Sequence, residues 1–212
     1  MDKILTTLQP YLSAVKDIIT IMSLILAGFV AIKGLQTWRQ QLKGTANYEL
    51  AKRLLKATYR LRDAIQSVRS PLMMAGEISH AMKESQLDIV PSSEEFYTAS
   101  TAAVYQMRWK PVVEAYQALE LEAIEAEAIW GSEARATTTA MRKSINGLST
   151  ALDLYIRDMQ PRGPRMLDNA SRDTFQRIVF SMASTPEEDS YLSELTSAVN
   201  AIEDLARPHL TR

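Results

Sequence analysis

The amino-acid sequence predicts an all-α protein, in which an N-terminal transmembrane helix continues into a cytoplasmic bundle of about five helices. Three observations carry that expectation. Residues 18–32, IITIMSLILAGFVAI, form an uncharged run with nine residues from the Ile, Leu, Val and Phe set. Beyond it, apolar residues recur at steps of three and four, the period of a helix. No segment alternates with the period of a strand, and no internal repeat is present.

The apolar run comes first. At about 1.5 Å rise per residue, 15 residues span about 22 Å, short of the roughly 30 Å hydrocarbon thickness of a bilayer. Lys33 is able to snorkel, and the weakly polar stretch after it leads to Trp38, so that residues 18–38 give a span of 21 residues. Nine strongly apolar side chains favour insertion by about 3 to 5 kcal/mol, offset in part by Thr20, Ser23 and Gly28. Two other readings compete. A secretory signal needs a basic leader and a small-residue cleavage site, whereas Lys3 and Lys16 are balanced by Asp2 and Asp17. A buried core helix also accommodates a run of this length. A retained anchor is the expectation, over residues 17–38.

Basic residues near the two ends set its orientation. Lys3 and Lys16 precede the run, while Lys33, Arg39, Lys43, Lys52 and Arg53 follow it, which predicts an outside N-terminus and a cytoplasmic C-terminal domain. Lys33, Trp38, Arg39 and Lys43 form the interfacial anchor. Residues 1–16 read as a short amphipathic or extended lead-in, with Pro10 arguing against simple continuation of the anchor. Within the run, Ser23, Ala27 and Ala31 fall at i, i+4 and i+8 with Gly34 near the same stripe, a pattern that lets membrane helices approach and self-associate.

The cytoplasmic part, residues 39–207, opens on a second helical pattern. Leu50, Leu54, Ala57, Leu61, Ile65 and Val68 form a packing seam, with Gly34 and Gly44 as sites where the preceding helix is free to bend and Ser70-Pro71 as its end. Residues 38–70 carry eight basic side chains against Glu49 and Asp63, and Lys52, Arg53, Lys56, Arg60 and Arg62 give this helix a basic face. That face suits anionic lipid head groups, an acidic surface of this or another chain, or nucleic acid. The acidic counterpart is present, because residues 76–133 hold eleven carboxylates against Lys83, Arg108 and Lys110.

Punctuation then divides the remainder. The stretch 73–90 is weakly patterned. Ser92 with Glu95 reads as a capping box, Pro111 as a kink or a fresh start, and Trp130-Gly131 as a stop, after which Ser132 caps another helix. Met141, Ile145, Leu148, Leu152, Tyr155 and Met159 form the next seam, which ends at Pro161. A short helix bears Phe175, Ile178, Val179 and Met182. The last is capped by Thr185, Pro186 and Glu188 and stops before Pro208, leaving residues 208–212 as a tail.

Composition narrows the chemistry. The chain has 212 residues, no cysteine, and His80 and His209 as its two imidazoles. Thiolate chemistry is therefore absent, and metal or acid–base sites are poorly supplied. Neither Walker nor dinucleotide glycine patterns occur. No enzyme activity, cofactor, metal or small-molecule substrate is expected. With 24 basic and 25 acidic residues, the net charge of −1 gives no general attraction to nucleic acid.

Residues 15–72, with Trp38-Arg-Gln-Gln-Leu-Lys-Gly44, Tyr48-Glu-Leu-Ala-Lys-Arg-Leu-Leu55 and Tyr59-Arg-Leu-Arg-Asp63, resemble uncharacterised bacterial proteins with one amino-terminal membrane helix. The resemblance implies the bacterial inner membrane and carries no site. Together these readings predict a single-pass scaffold or adaptor that forms homo-oligomers, with coiled-coil-like seams, or recruits a protein partner. The alternatives are a membrane-permeabilising oligomeric effector and a soluble helical nucleic-acid-binding protein.

Overall fold

The computed structural model describes residues 2–90, 93–160, 167–181 and 189–210. It is all-α. Six helices and no strands are found among the described residues: α1 (Asp2–Val68), α2 (Ala75–Glu84), α3 (Glu94–Trp130), α4 (Ser132–Asp158), α5 (Asn169–Val179) and α6 (Ser190–Leu210). The chain divides into two units, Met1–Ala46 and Asn47–Arg212.

The first unit is wholly helical from Asp2 onward and belongs to α1. Pro10 does not interrupt it, and neither Gly34 nor Gly44 ends it. Every described side chain from Lys16 to Ala46 is exposed. The 18-residue window of the apolar run, of mean hydropathy 1.8, has none of its residues buried.

The second unit is a bundle with one main core. Leu50, Leu54, Leu61, Ile65 and Val68 of α1 are fully buried, together with Val112 and Leu119 of α3, Met141 and Leu148 of α4, and Leu195 and Ile202 of α6. Complete burial of such residues stabilises by about 1.5–3 kcal/mol each, so the seams supply most of the driving force. A smaller cluster, Ala81 and Met82 with Ala103 and Val104, fastens α2 to α3. The helix α2 falls in the weakly patterned stretch, where ten residues give too few turns for a period to show.

Several boundaries differ from expectation for local reasons. The N-cap of α3 is Ser93, whose side chain accepts from the Phe96 N–H, and the expected Ser92 lies outside the described residues. Pro111 neither ends nor restarts α3, which is a single helix of 37 residues. Pro111 is exposed, so water can serve the carbonyl that its missing N–H leaves free. Gly131, at φ 96°, ends α3 and occupies the N-cap position of α4, which makes Ser132 the first helical residue rather than the cap. Thr185, Pro186 and Glu188, like Met182, lie outside the described residues. The helix α6 starts at Ser190, with the Asp189 carboxylate accepting from the Leu192 N–H at 3.0 Å. It passes through Pro208 rather than stopping before it, so the expected tail is partly helical.

Among the ion pairs of the described residues, one is almost fully buried. The Arg69 guanidinium meets Asp189 at 2.8 Å, with side chains only 1% and 4% exposed. Removing one partner of such a pair strands the other charge in a low-dielectric interior and costs about 3–5 kcal/mol. Asp189→Ala is therefore expected to lower the unfolding free energy of the full chain by about that amount in denaturant titration. A loss below 1 kcal/mol would show that Arg69 finds other compensation.

Candidate interaction surfaces

Three surfaces were predicted from the sequence, and each has a definite environment. In the first unit, Ser23, Ala27, Ala31 and Gly34 are all exposed, and nothing in the chain lies within 4 Å of a Cβ placed on Gly34. Thr20, Ser23 and Thr37 donate their hydroxyls to the carbonyls of Lys16, Ile19 and Lys33 at 2.8, 2.8 and 3.0 Å. Each of these hydroxyls is thus satisfied four residues back along its own helix. Lys33, Trp38, Arg39 and Lys43 are exposed beyond the run, with Lys33 over the Phe29 ring at 5.9 Å.

The basic face of α1 is divided by its contacts. Arg53 turns inward onto α3, donating to Glu122 at 2.9 Å and Glu125 at 2.6 Å. Hydrogen bonds donated to these two carboxylates raise the Arg53 pKa, so the pairing favours the charged form. Arg62 bonds Asp63 at 2.8 Å and lies over the Tyr59 ring at 5.0 Å. Lys52, by contrast, comes only within 4.0 Å of Glu49, and Lys56 and Arg60 are exposed. Lys52, Lys56 and Arg60 rim a groove of about 390 Å³ over Leu55, Tyr59 and Leu210. Its wall is fixed by the Tyr59 hydroxyl, which donates to Glu203 of α6 at 2.9 Å.

The acidic helix α3 is likewise split. Glu120 accepts from Arg142 at 2.7 Å and forms an ion pair with Arg135 at 3.1 Å. Burial alone would raise its carboxyl, but the two guanidiniums hold it below its ordinary range. Glu114 and Glu127 are exposed. An apolar groove of about 530 Å³ lies between α3 and α4, lined by Tyr105, Trp109, Val113, Leu152 and Ile156 among others. The Tyr105 hydroxyl is buried without a hydrogen-bond partner among the described residues, and burial pushes its pKa up.

Sequence reasoning counted Arg69 and Arg108 as members of charged stretches, and the structure gives both structural work. Arg108 donates to both Glu77 oxygens at 2.6 and 2.8 Å and to the Ser70 and Leu72 carbonyls at 2.7 Å. It thereby ties the turn after α1 to α2. The signal available in advance was negative: both arginines sit beside apolar residues and away from the lysine-bearing stripe. Of the histidines, His80 approaches Met107 Sδ at 3.3 Å and His209 stacks on Trp130 at 4.2 Å. Among the described residues, no group of three or more His, Asp or Glu is placed to hold a metal ion.

Fold and surfaces together define an all-α protein with one candidate membrane-spanning helix. Comparison with known proteins finds no matching family model, no matching curated protein and no matching solved structure.

The Glu77 carboxyl is held below its usual value near 4.5 by the Arg108 hydrogen bonds. Its folded pKa is thus lower than its unfolded one, so its contribution is complete above that usual value and disappears as pH falls through the lowered one. Glu77→Gln is expected to cost about 2 kcal/mol at neutral pH, with the gap to the parent chain closing in acid. Unfolding titrations of both chains at several pH values check this, and a gap independent of pH would contradict it.

Proposed function

We propose that this protein is a single-pass, membrane-anchored helical scaffold of the bacterial inner membrane, with its N-terminus outside and its C-terminal bundle in the cytoplasm. It self-associates there or recruits a protein partner. The observation that carries the reading is the apolar part of α1. Nine large apolar side chains between Ile19 and Ile32 are 56–67% exposed, and they surround the helix rather than forming one stripe. Leaving them in water forfeits on the order of 10 kcal/mol, comparable with the whole stability of a domain. A one-sided amphipathic helix would need only a groove. One that is apolar all round needs a medium, and lipid is the medium that also tolerates internally bonded hydroxyls such as those of Thr20 and Ser23.

The same bonds weigh against the permeabilising alternative. A water-filled pore needs a polar stripe, and the hydroxyls of this run are committed to their own backbone. Orientation rests on the basic residues that follow the run, Lys33, Arg39 and Lys43.

Alkaline extraction of membranes containing the full chain is expected to leave it in the lipid fraction, and external protease is expected to digest the bundle only in inverted vesicles. Ile25→Lys with Phe29→Lys adds about 5–7 kcal/mol at the centre of the span, exceeding the roughly 3–5 kcal/mol that favours insertion, and should release the chain. Release of the unsubstituted chain, or protection of the bundle in inverted vesicles, would refute the anchored, N-out arrangement.

A further inference from the structure

The bundle carries two faces of opposite charge, each with an apolar centre, that no described residue covers. On α1, Lys52, Lys56 and Arg60 follow at intervals of four and rim the groove over Leu55, Tyr59 and Leu210, whose remaining lining residue, Asp63, is already paired with Arg62. On α3, Val113, Leu121 and Ile124 are 41%, 67% and 55% exposed. With Gln117 and Ala128 they step by 4, 4, 3 and 4, a continuous stripe on the side facing away from buried Leu119, Ala123 and Ala126. Glu114 and Glu127 are exposed at its edges. A helix that is apolar on two faces has two neighbours to satisfy, and the bundle supplies one.

We infer that the acidic, apolar face of α3 (Leu121, Ile124, Glu127) from a second copy of the chain docks on the basic-rimmed groove of α1 (Lys52, Lys56, Arg60). The occupant follows from charge complementarity. The groove asks for apolar side chains flanked by carboxylates, and α3 presents that combination. Within one protomer the same two helices already pair in this sense, through Arg53 with Glu122 and Glu125. The intramolecular pairing uses Arg53 and leaves Lys56 and Arg60 without an ion-pair partner among the described residues. The inference rests on the self-association part of the proposed function and names its surface.

The absence of cysteine makes the contact directly testable. Full-length chains carrying Lys56→Cys are mixed with full-length chains carrying Glu127→Cys in a neutral detergent without added lipid, oxidised, and compared with a mixture of Lys56→Cys and Lys143→Cys. A mixed disulfide dimer is expected only in the first mixture. In parallel, the mass of the unsubstituted chain is followed by light scattering as concentration rises. Lys56→Glu with Arg60→Glu, or Glu114→Lys with Glu127→Lys, is expected to raise the dissociation constant more than about tenfold, and mixing the two variants to restore association. Helicity and melting temperature of each variant report that exposed substitutions have left the fold intact.

An associating parent chain that gives no Lys56–Glu127 cross-link overturns the docking and leaves self-association standing. A parent chain that is monomeric at all concentrations overturns both. Association that appears only after phosphatidylglycerol is added assigns the groove to anionic lipid and overturns the docking, as does failure of the mixed variants to recover.

Discussion

The second unit depends on where one buried guanidinium is allowed to sit. Arg69 follows the last residue of α1 and donates to the carbonyls of Arg177 and Ile178 at the end of α5, at 2.9 and 2.7 Å, and to both oxygens of Asp189 ahead of α6. Its own carbonyl accepts from the Ser181 N–H at 2.9 Å, and its guanidinium lies 4.5 Å from the Tyr191 ring centre. Helix C-termini present unsatisfied carbonyls and partial negative charge, and helix N-termini the reverse. One cation–carboxylate pair therefore answers the end of α5 and the start of α6 together. Tyr191 extends the constraint to α4, donating to the Ser144 carbonyl at 3.1 Å. A hydrophobic substitute of the same volume would fill the space and leave those carbonyls unbonded, which is why the charge is tolerated there.

Arginine and lysine are used differently in this bundle, and the difference follows from their shapes. Arg53, Arg69, Arg108, Arg142 and Arg172 each bridge separate parts of the chain through forked or paired contacts. A planar guanidinium can serve two acceptors at once with little further loss of freedom. Lys52 and Lys56 stay at the surface, where a strongly hydrated ammonium is cheapest to keep. The +6 balance of residues 38–70 thus overstates the charge that the bundle offers to a partner, because Arg39 and Lys43 precede the second unit and Arg53, Arg62 and Arg69 are engaged internally. What is left is narrower and better defined: Lys52, Lys56 and Arg60 around one groove.

The long seams were legible in the sequence because each repeats over several turns. Leu50 to Val68 and Met141 to Leu152 bury the positions that their spacing selects. The helix α2 escaped because ten residues hold too little period to detect, and it is held by contacts with α3, the Ala81–Met82 cluster and Arg108, that local spacing does not show. Proline misled at Pro10 and Pro208, which lie inside α1 and α6, and the fresh start allowed at Pro111 did not occur, since a helix can carry a proline with the loss of a single backbone bond. The candidate surfaces were legible as residue types but not as partitions. Nothing in the spacing of Arg53 and Lys56 tells which of them faces α3, because that depends on how two distant helices pack.

The boundary at Ala46 and Asn47 is also a change in what the helix needs from its surroundings. Before it, no described side chain of α1 is buried; after it, Leu50, Ala51, Leu54 and Ala57 turn into the core at steps of one, three and three. The same backbone hydrogen-bonding pattern serves both halves, so the distinction lies entirely in side chains. From Asn47 on, one face satisfies itself within the chain and the other is charged, which is how a helix lives in water. In the run of Ile19 to Ile32 no side chain is charged, and the large apolar side chains described there are exposed. A helix with two such halves keeps one backbone pattern while its side chains change from an exposed apolar run to a covered seam, so the two units differ in what their side chains meet and not in secondary structure.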